Sequence, residues 1–199
     1  LVLLTIGLRG PVLAEEADDA ATVEAAERFQ RGIELFDGGV YEASLAEFQR
    51  AYELRPHFAV LFNIGQVQAQ LGRHPEALAA FERYLAEGGT NVDPNLRSEV
   101  ENEIVRLRRL VGRIHVTVTE PDGAAVYLDG SEVGLAPLES PLVVSSGRHV
   151  VEVRASGYMP FRREVQVAGA ELEVVVVSLI RPPEAPEAPG TIVLETSTL

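Results

Sequence analysis

The stretch GIELFDGGVYEASLAEF, residues 32–48, returns as GQVQAQLGRHPEALAAF, residues 65–81, and this recurrence decides the fold of the N-terminal half. Gly32, Gly39, Leu45 and Phe48 fall on Gly65, Gly72, Leu78 and Phe81 at a constant offset of 33 residues. A period of that size marks supersecondary units that bury their apolar faces only by stacking on one another. In the first copy Phe29, Ile33 and Phe36, then Leu45, Phe48 and Ala51, recur at helical spacing on either side of a glycine break. The second copy supplies Leu61, Ile64 and Gln68, then Leu78, Phe81 and Leu85, again at helical spacing on either side of a glycine break. Gly39 and Gly72 suit the turn inside each helical pair, Gly32 and Gly65 a close approach of its two helices, and Pro56 the break between units.

Helices of about 15 residues are marginal alone in water, so these must pack on one another and on a lid. Asp93-Pro94 is a helix start, with Asp as N-cap and Pro in the first turn, and Val100, Ile104, Leu107 and Val111 then form one apolar stripe. Residues 94–111 are therefore expected to form a capping helix over the second unit.

The repeated positions resemble the tetratricopeptide repeat: a small residue early in the first helix, Gly39-Val40-Tyr41 and Gly72-Arg73-His74 at the turns, then Ser44 and Ala77 as small residues and Phe48 and Phe81 as aromatics. Tyr84 departs from the pattern by standing where a small Ala is usual, and the period is one short of the family's. The resemblance implies two repeats over residues 25–93 whose first helices line a groove for a peptide. The matching positions are Phe29, Ile33, Phe36, Phe62, Gln66, Ala69 and Gln70. Phe supplies contact area and Gln can pair a peptide backbone, although Phe29, Ile33 and Phe36 suit a core equally. Asn63 stands where carboxylate-tail binders place an Asn, but Phe29 and Ile33 occupy the places of their Lys partners.

After Gly112 the period becomes two. Ile114, Val116 and Val118 alternate with His115, Thr117 and Thr119, and Val126 with Leu128, Val151 with Val153, Val165 with Val167, and Val174 with Val176 continue the pattern. Turns at Pro121-Asp122-Gly123, Asp129-Gly130, Ser146-Gly147 and Gly157-Tyr158 separate the strands of a small antiparallel β-sandwich. The series Pro121-Asp122-Gly123-Ala124, Val126-Tyr127-Leu128-Asp129-Gly130, Gly134-Leu135-Ala136-Pro137-Leu138 and Gly157-Tyr158 resembles the PEGA domain, with Asp122 for the family's Glu. That resemblance covers about residues 112–180 and implies a cell-envelope or surface-layer setting without a known chemistry. The fold class expected is α+β in two segregated domains, helical hairpins with a capping helix and then the sandwich.

At the ends, residues 1–14 read as the remnant of a secretory signal, with an apolar run too short to span a bilayer and Val12 and Ala14 before the acidic Glu15-Glu16. Residues 15–24 form an acidic linker and helix start, residues 181–189 a stiff Pro-rich linker. Residues 190–199 open like a second PEGA-like unit, Gly190 and Ile192 falling over Gly112 and Ile114.

A net charge of -13 repels phosphate backbones and argues against nucleic-acid partners. Every basic residue is Arg, and cysteine is absent, which removes disulfides, thiol nucleophiles and thiolate metal sites. The four His residues stand apart without ligand spacing, and the glycines match no phosphate-binding loop. Asp122, Asp129 and Glu132 could be imagined around calcium, but Asp-Gly pairs are explained by their turns. No catalytic, cofactor or metal site is expected. The sequence points to an exported, non-enzymatic scaffolding module of the bacterial envelope that docks a peptide or protein partner. The alternatives are a self-associating stalk of unknown oligomeric state and an accessory region of a larger enzyme or sensor.

Overall fold

The computed structural model describes residues 10–183. The apolar residues 1–9 of the expected signal, most of the Pro-rich linker and the expected second PEGA-like unit lie outside the described residues.

Four helices form the two repeats: α1 (Gly10–Asp37), α2 (Tyr41–Leu54), α3 (Phe58–Gln70) and α4 (His74–Gly88). α1 thus extends upstream of the first repeat. Each pair is joined by the same turn. Val40 N donates to Leu35 O at 2.8 Å and Gly39 N to Phe36 O at 2.9 Å; Arg73 N donates to Gln68 O at 2.9 Å and Gly72 N to Ala69 O at 3.1 Å. Both are Schellman closures, which need a left-handed residue at their centre, and Gly39 and Gly72 both have φ 72°.

Phe48 fills the place left open by the missing side chain of Gly32, and Phe81 does the same at Gly65. A Cβ on Gly32 would stand 2.7 Å from the Phe48 ring, and one on Gly65 2.8 Å from Phe81. Ser44, fully buried, donates to Gly32 O at 2.7 Å and ties α2 to α1. The first core gathers Leu45, Phe48, Val60 and Val67; the second gathers Leu61, Leu78, Phe81 and Tyr84 with Val100, Ile104 and Leu107 of α5 (Pro94–Arg108). Tyr84, the departure from the repeat pattern, is 3% exposed and packs tilted on Phe58 and Phe62 at 5.7 and 5.6 Å. The expected lid is therefore present. α5 ends at Arg108, short of the stripe's last member; Val111 opens β1, and its side chain remains in the second core.

Seven strands follow: β1 (Val111–Val118), β2 (Ala125–Leu128), β3 (Ser131–Leu135), β4 (Leu142–Ser145), β5 (Gly147–Arg154), β6 (Phe161–Val167) and β7 (Leu172–Val177). They make a three-stranded sheet, β4-β1-β7, and a four-stranded sheet, β3-β2-β5-β6. Pairing is antiparallel between β1 and β4, β2 and β3, and β2 and β5. β7 runs alongside β1 in the same direction, since Arg113 N donates to Glu171 O and Thr119 N to Val177 O. Ile114, Val116, Val126, Val151, Val153, Val165 and Val167 are buried, as their alternation requires.

The last strand corrects the sequence reading. Val175 and Val177 are fully buried, while Val174 and Val176, expected on the inner face, are 48% and 62% exposed. In an unbroken run of four valines the period carries no information, and a one-residue slip exchanges the two faces.

By its contacts the chain divides into two compact units. One comprises the described residues up to 115 with 141–148 and 166–173; the other comprises residues 116–140, 149–165 and the described residues from 174 onward. Within the first, Gly169 in the β6–β7 turn lies so near α5's last turn that a Cβ would overlap the Arg109 carbonyl.

Candidate functional site

On α3, Phe62, Gln66, Ala69 and Gln70 are spaced by four, three and one, and so share one side of the helix. The opposite face carries Val60, Leu61, Val67 and Gln68 into the cores. This first face borders a cleft of about 420 Å³ whose other walls are Phe36 of α1, Phe81 of α4, and Glu99, Val100, Glu103 and Arg106 of α5. Phe62 is half-buried: its ring meets Phe81 edge-on at 6.0 Å, leaving the remainder toward the cleft.

Five of the seven groove positions, Phe36, Phe62, Gln66, Ala69 and Gln70, come together here. Phe29 and Ile33 do not line it. They pack on the first core, where the Phe29 ring lies 5.4 Å from that of Phe48. A helix stripe that touches both groove and core looks uniform in sequence, and only the position of the neighbouring helix divides it. Asn63 turns its amide back to Ala59 O at 3.3 Å, within its own helix.

The α5 wall escaped the sequence reading. Its core stripe of Val100, Ile104 and Leu107 was legible, but Glu99, Glu103 and Arg106, which flank that stripe, were not among the expected groove residues. The signal lay in their spacing, three and four apart on one helical face. Arg106 Nε donates to Glu103 Oε2 at 2.8 Å, and this hydrogen bond raises the Arg106 pKa. Gln66, Gln70 and Glu99 have no hydrogen-bond or ion-pair partner among the described residues. The wall facing a ligand therefore offers two amides, one uncompensated carboxylate and a closed ion pair over an aromatic floor.

A second hollow, of about 450 Å³, opens between α2, α3 and α4 and is bordered by Tyr52 and Arg83. There Tyr52 donates to Glu87 at 2.9 Å, Arg83 donates to the Tyr52 hydroxyl at 2.8 Å, and the Arg83 guanidinium lies 5.3 Å from the Tyr52 ring centroid. The hydrogen bond from Arg83 holds the Glu87 pKa below the usual carboxylate range, and burial raises that of Tyr52. These groups tie the second helices of the two repeats together.

In the sandwich, His149 Nδ1 lies 2.7 Å from Asp129 Oδ2 while Asp129 Oδ1 accepts from Val150 N at 2.8 Å. The pair staples the Asp129-Gly130 turn to β5, a contact between residues that were read separately in the sequence. Glu132 accepts from the Tyr127 hydroxyl at 3.1 Å, so two of the three acidic residues considered for calcium, Asp129 and Glu132, hold hydrogen bonds within the sandwich. Among the described residues no cluster of three or more His, Asp or Glu is gathered to hold a metal, and no helix is long and apolar enough to cross a membrane.

A family model for the tetratricopeptide repeat matches residues 29–92, which contain four of the cleft's five recovered groove positions on α3 and the fifth on α1. A family model for the PEGA domain matches residues 112–179, the span of all seven strands but the first residue of β1. No curated protein matches the chain. The chain carries tetratricopeptide repeats over residues 29–92, followed by a PEGA domain over residues 112–179.

Proposed function

We propose that the chain is a non-enzymatic docking module in which the cleft between α1, α3, α4 and α5 binds a peptide segment of a protein partner. Tetratricopeptide repeats mediate protein–protein interactions, and PEGA domains occur in extracellular and periplasmic proteins. The observation that carries the reading is the cleft itself: half-buried aromatic side chains beside amides that have no partner among the described residues. In this reading the PEGA domain spaces or anchors the repeats in an exported, envelope-associated setting.

Capture of a partner by the full chain tests it. Phe62→Ala removes floor area and Gln70→Arg blocks the mouth without touching the core; both are expected to abolish capture. Capture unchanged in both variants rejects the cleft as the docking site.

A second reading, self-association as a stalk, is favoured by β7. It is an edge strand whose outward row, Leu172, Val174 and Val176, is about half exposed, with no Pro or charge in residues 174–177. Such an edge is a template for pairing with a second copy.

A further inference from the structure

The two walls of the cleft differ in kind. α3 brings the neutral amides of Gln66 and Gln70; α5 brings Glu99 and, one turn on, Glu103 with Arg106. Arg106 is the single cation on the lining, and Glu103 already holds it at 2.8 Å. Glu99 has no hydrogen-bond or ion-pair partner among the described residues. An anionic ligand entering the cleft would meet like charge at Glu99 and no available cation. A cationic one finds Glu99 uncompensated and can share Glu103, because two carboxylates at i and i+4 on one face stand within reach of a single guanidinium or ammonium.

We infer that the cleft takes a cationic amphipathic peptide segment, which seats an apolar side chain on Phe62 and Phe81 and an Arg or Lys side chain against Glu99 and Glu103. Gln66 and Gln70 pair the backbone between these two anchors. The arrangement selects against a free C-terminal carboxylate and against acidic segments. The inference rests on the cleft being the docking site and adds the chemistry of what docks there.

The test uses the full chain and three fluorescein-labelled peptides, capped at both ends and identical in their Leu and Phe positions, whose polar positions are all Arg, all Gln or all Glu. By fluorescence anisotropy the Arg peptide is expected to bind about tenfold more tightly than the Gln peptide, an advantage that shrinks with added salt, and the Glu peptide is expected to bind most weakly. A net charge of -13 attracts any cationic peptide weakly, so the discriminating step is the variant Glu99→Gln with Glu103→Gln. It frees Arg106, and it should erase the preference for Arg and raise affinity for the Glu peptide. An Arg preference that survives this double variant reports general acidity and overturns the inference. Equal binding of the Gln and Arg peptides overturns the inference and leaves the docking site standing. Failure of all three to bind, or binding indifferent to Gln70→Arg, overturns both.

Discussion

Gly65 and Gly72 belong to the same repeat yet are glycine for different reasons, and substitution separates them. At Gly65 an added Cβ would lie 2.8 Å from the ring of Phe81, itself 3% exposed and unable to retreat. Gly65→Ala should cost about 1–3 kcal/mol through overpacking, read as a lower urea midpoint. At Gly72 a Cβ meets nothing within 4 Å, but φ is 72°, so Gly72→Ala should cost about 1 kcal/mol from backbone strain alone. Relief by Phe81→Leu should therefore appear for Gly65→Ala and not for Gly72→Ala. Both positions were legible from the repeat, because a glycine imposed by an aromatic neighbour and one imposed by a turn each recur with the unit. His149 and Asp129 were not legible as a pair: they are distant in sequence and meet only because β2 and β5 are neighbours.

Among the elements, α5 has two roles, lid of the second core and wall of the cleft, and its N-terminus is held by Asp93, whose Oδ1 accepts from Asn95 N at 2.9 Å and Leu96 N at 3.2 Å. Asp93→Ala should destabilise the helix by about 1 kcal/mol. Because Glu99 lies early in α5, the same variant should weaken peptide binding more than a stability-matched Ser44→Ala does. α2 and α4 are tied through Tyr52, Arg83 and Glu87, and this tie is pH-dependent. The Glu87 pKa is lowered in the folded chain, so its contribution is present above the unfolded carboxylate value and is lost as pH falls through the folded one. Urea titrations at decreasing pH should show wild type losing more stability than Glu87→Gln in the acid range, with the two curves converging at its lower end. β7 shows where element-scale reading ends. Leu172, Val174 and Val176 face outward, and nothing in four consecutive valines could have said so.

For the whole molecule, the open question is whether the chain acts as a docking module or as a self-pairing stalk, and charge and the β7 edge act in opposite directions. A net charge of -13 keeps copies apart at low ionic strength, whereas the apolar edge of β7 gains when that repulsion is screened. On the stalk reading, light scattering should show association that grows with salt and disappears in Val174→Arg, which places a charge on the exposed edge. A monomer at every ionic strength removes that reading and leaves docking alone. Because Leu172, Val174 and Val176 are absent from the cleft lining, peptide binding should be unchanged in Val174→Arg whichever outcome holds.

The sequence by itself determined the two helical hairpins, their glycine turns, the lid and the turn positions of the sandwich. Each of these is a local period or a local backbone requirement, repeated or bounded within a few residues. Tertiary structure alone decided which residues of one helical stripe face the cleft: Phe36 does, while Phe29 and Ile33 pack on Phe48 and its neighbours. It also decided that the polar flank of α5 faces a ligand's space rather than bulk water, and which alternate valines of β7 turn inward. The reason is the same in each case. Periodicity states that a side chain lies on a face, but what stands opposite that face is set by other segments of the chain, and only their packing supplies it.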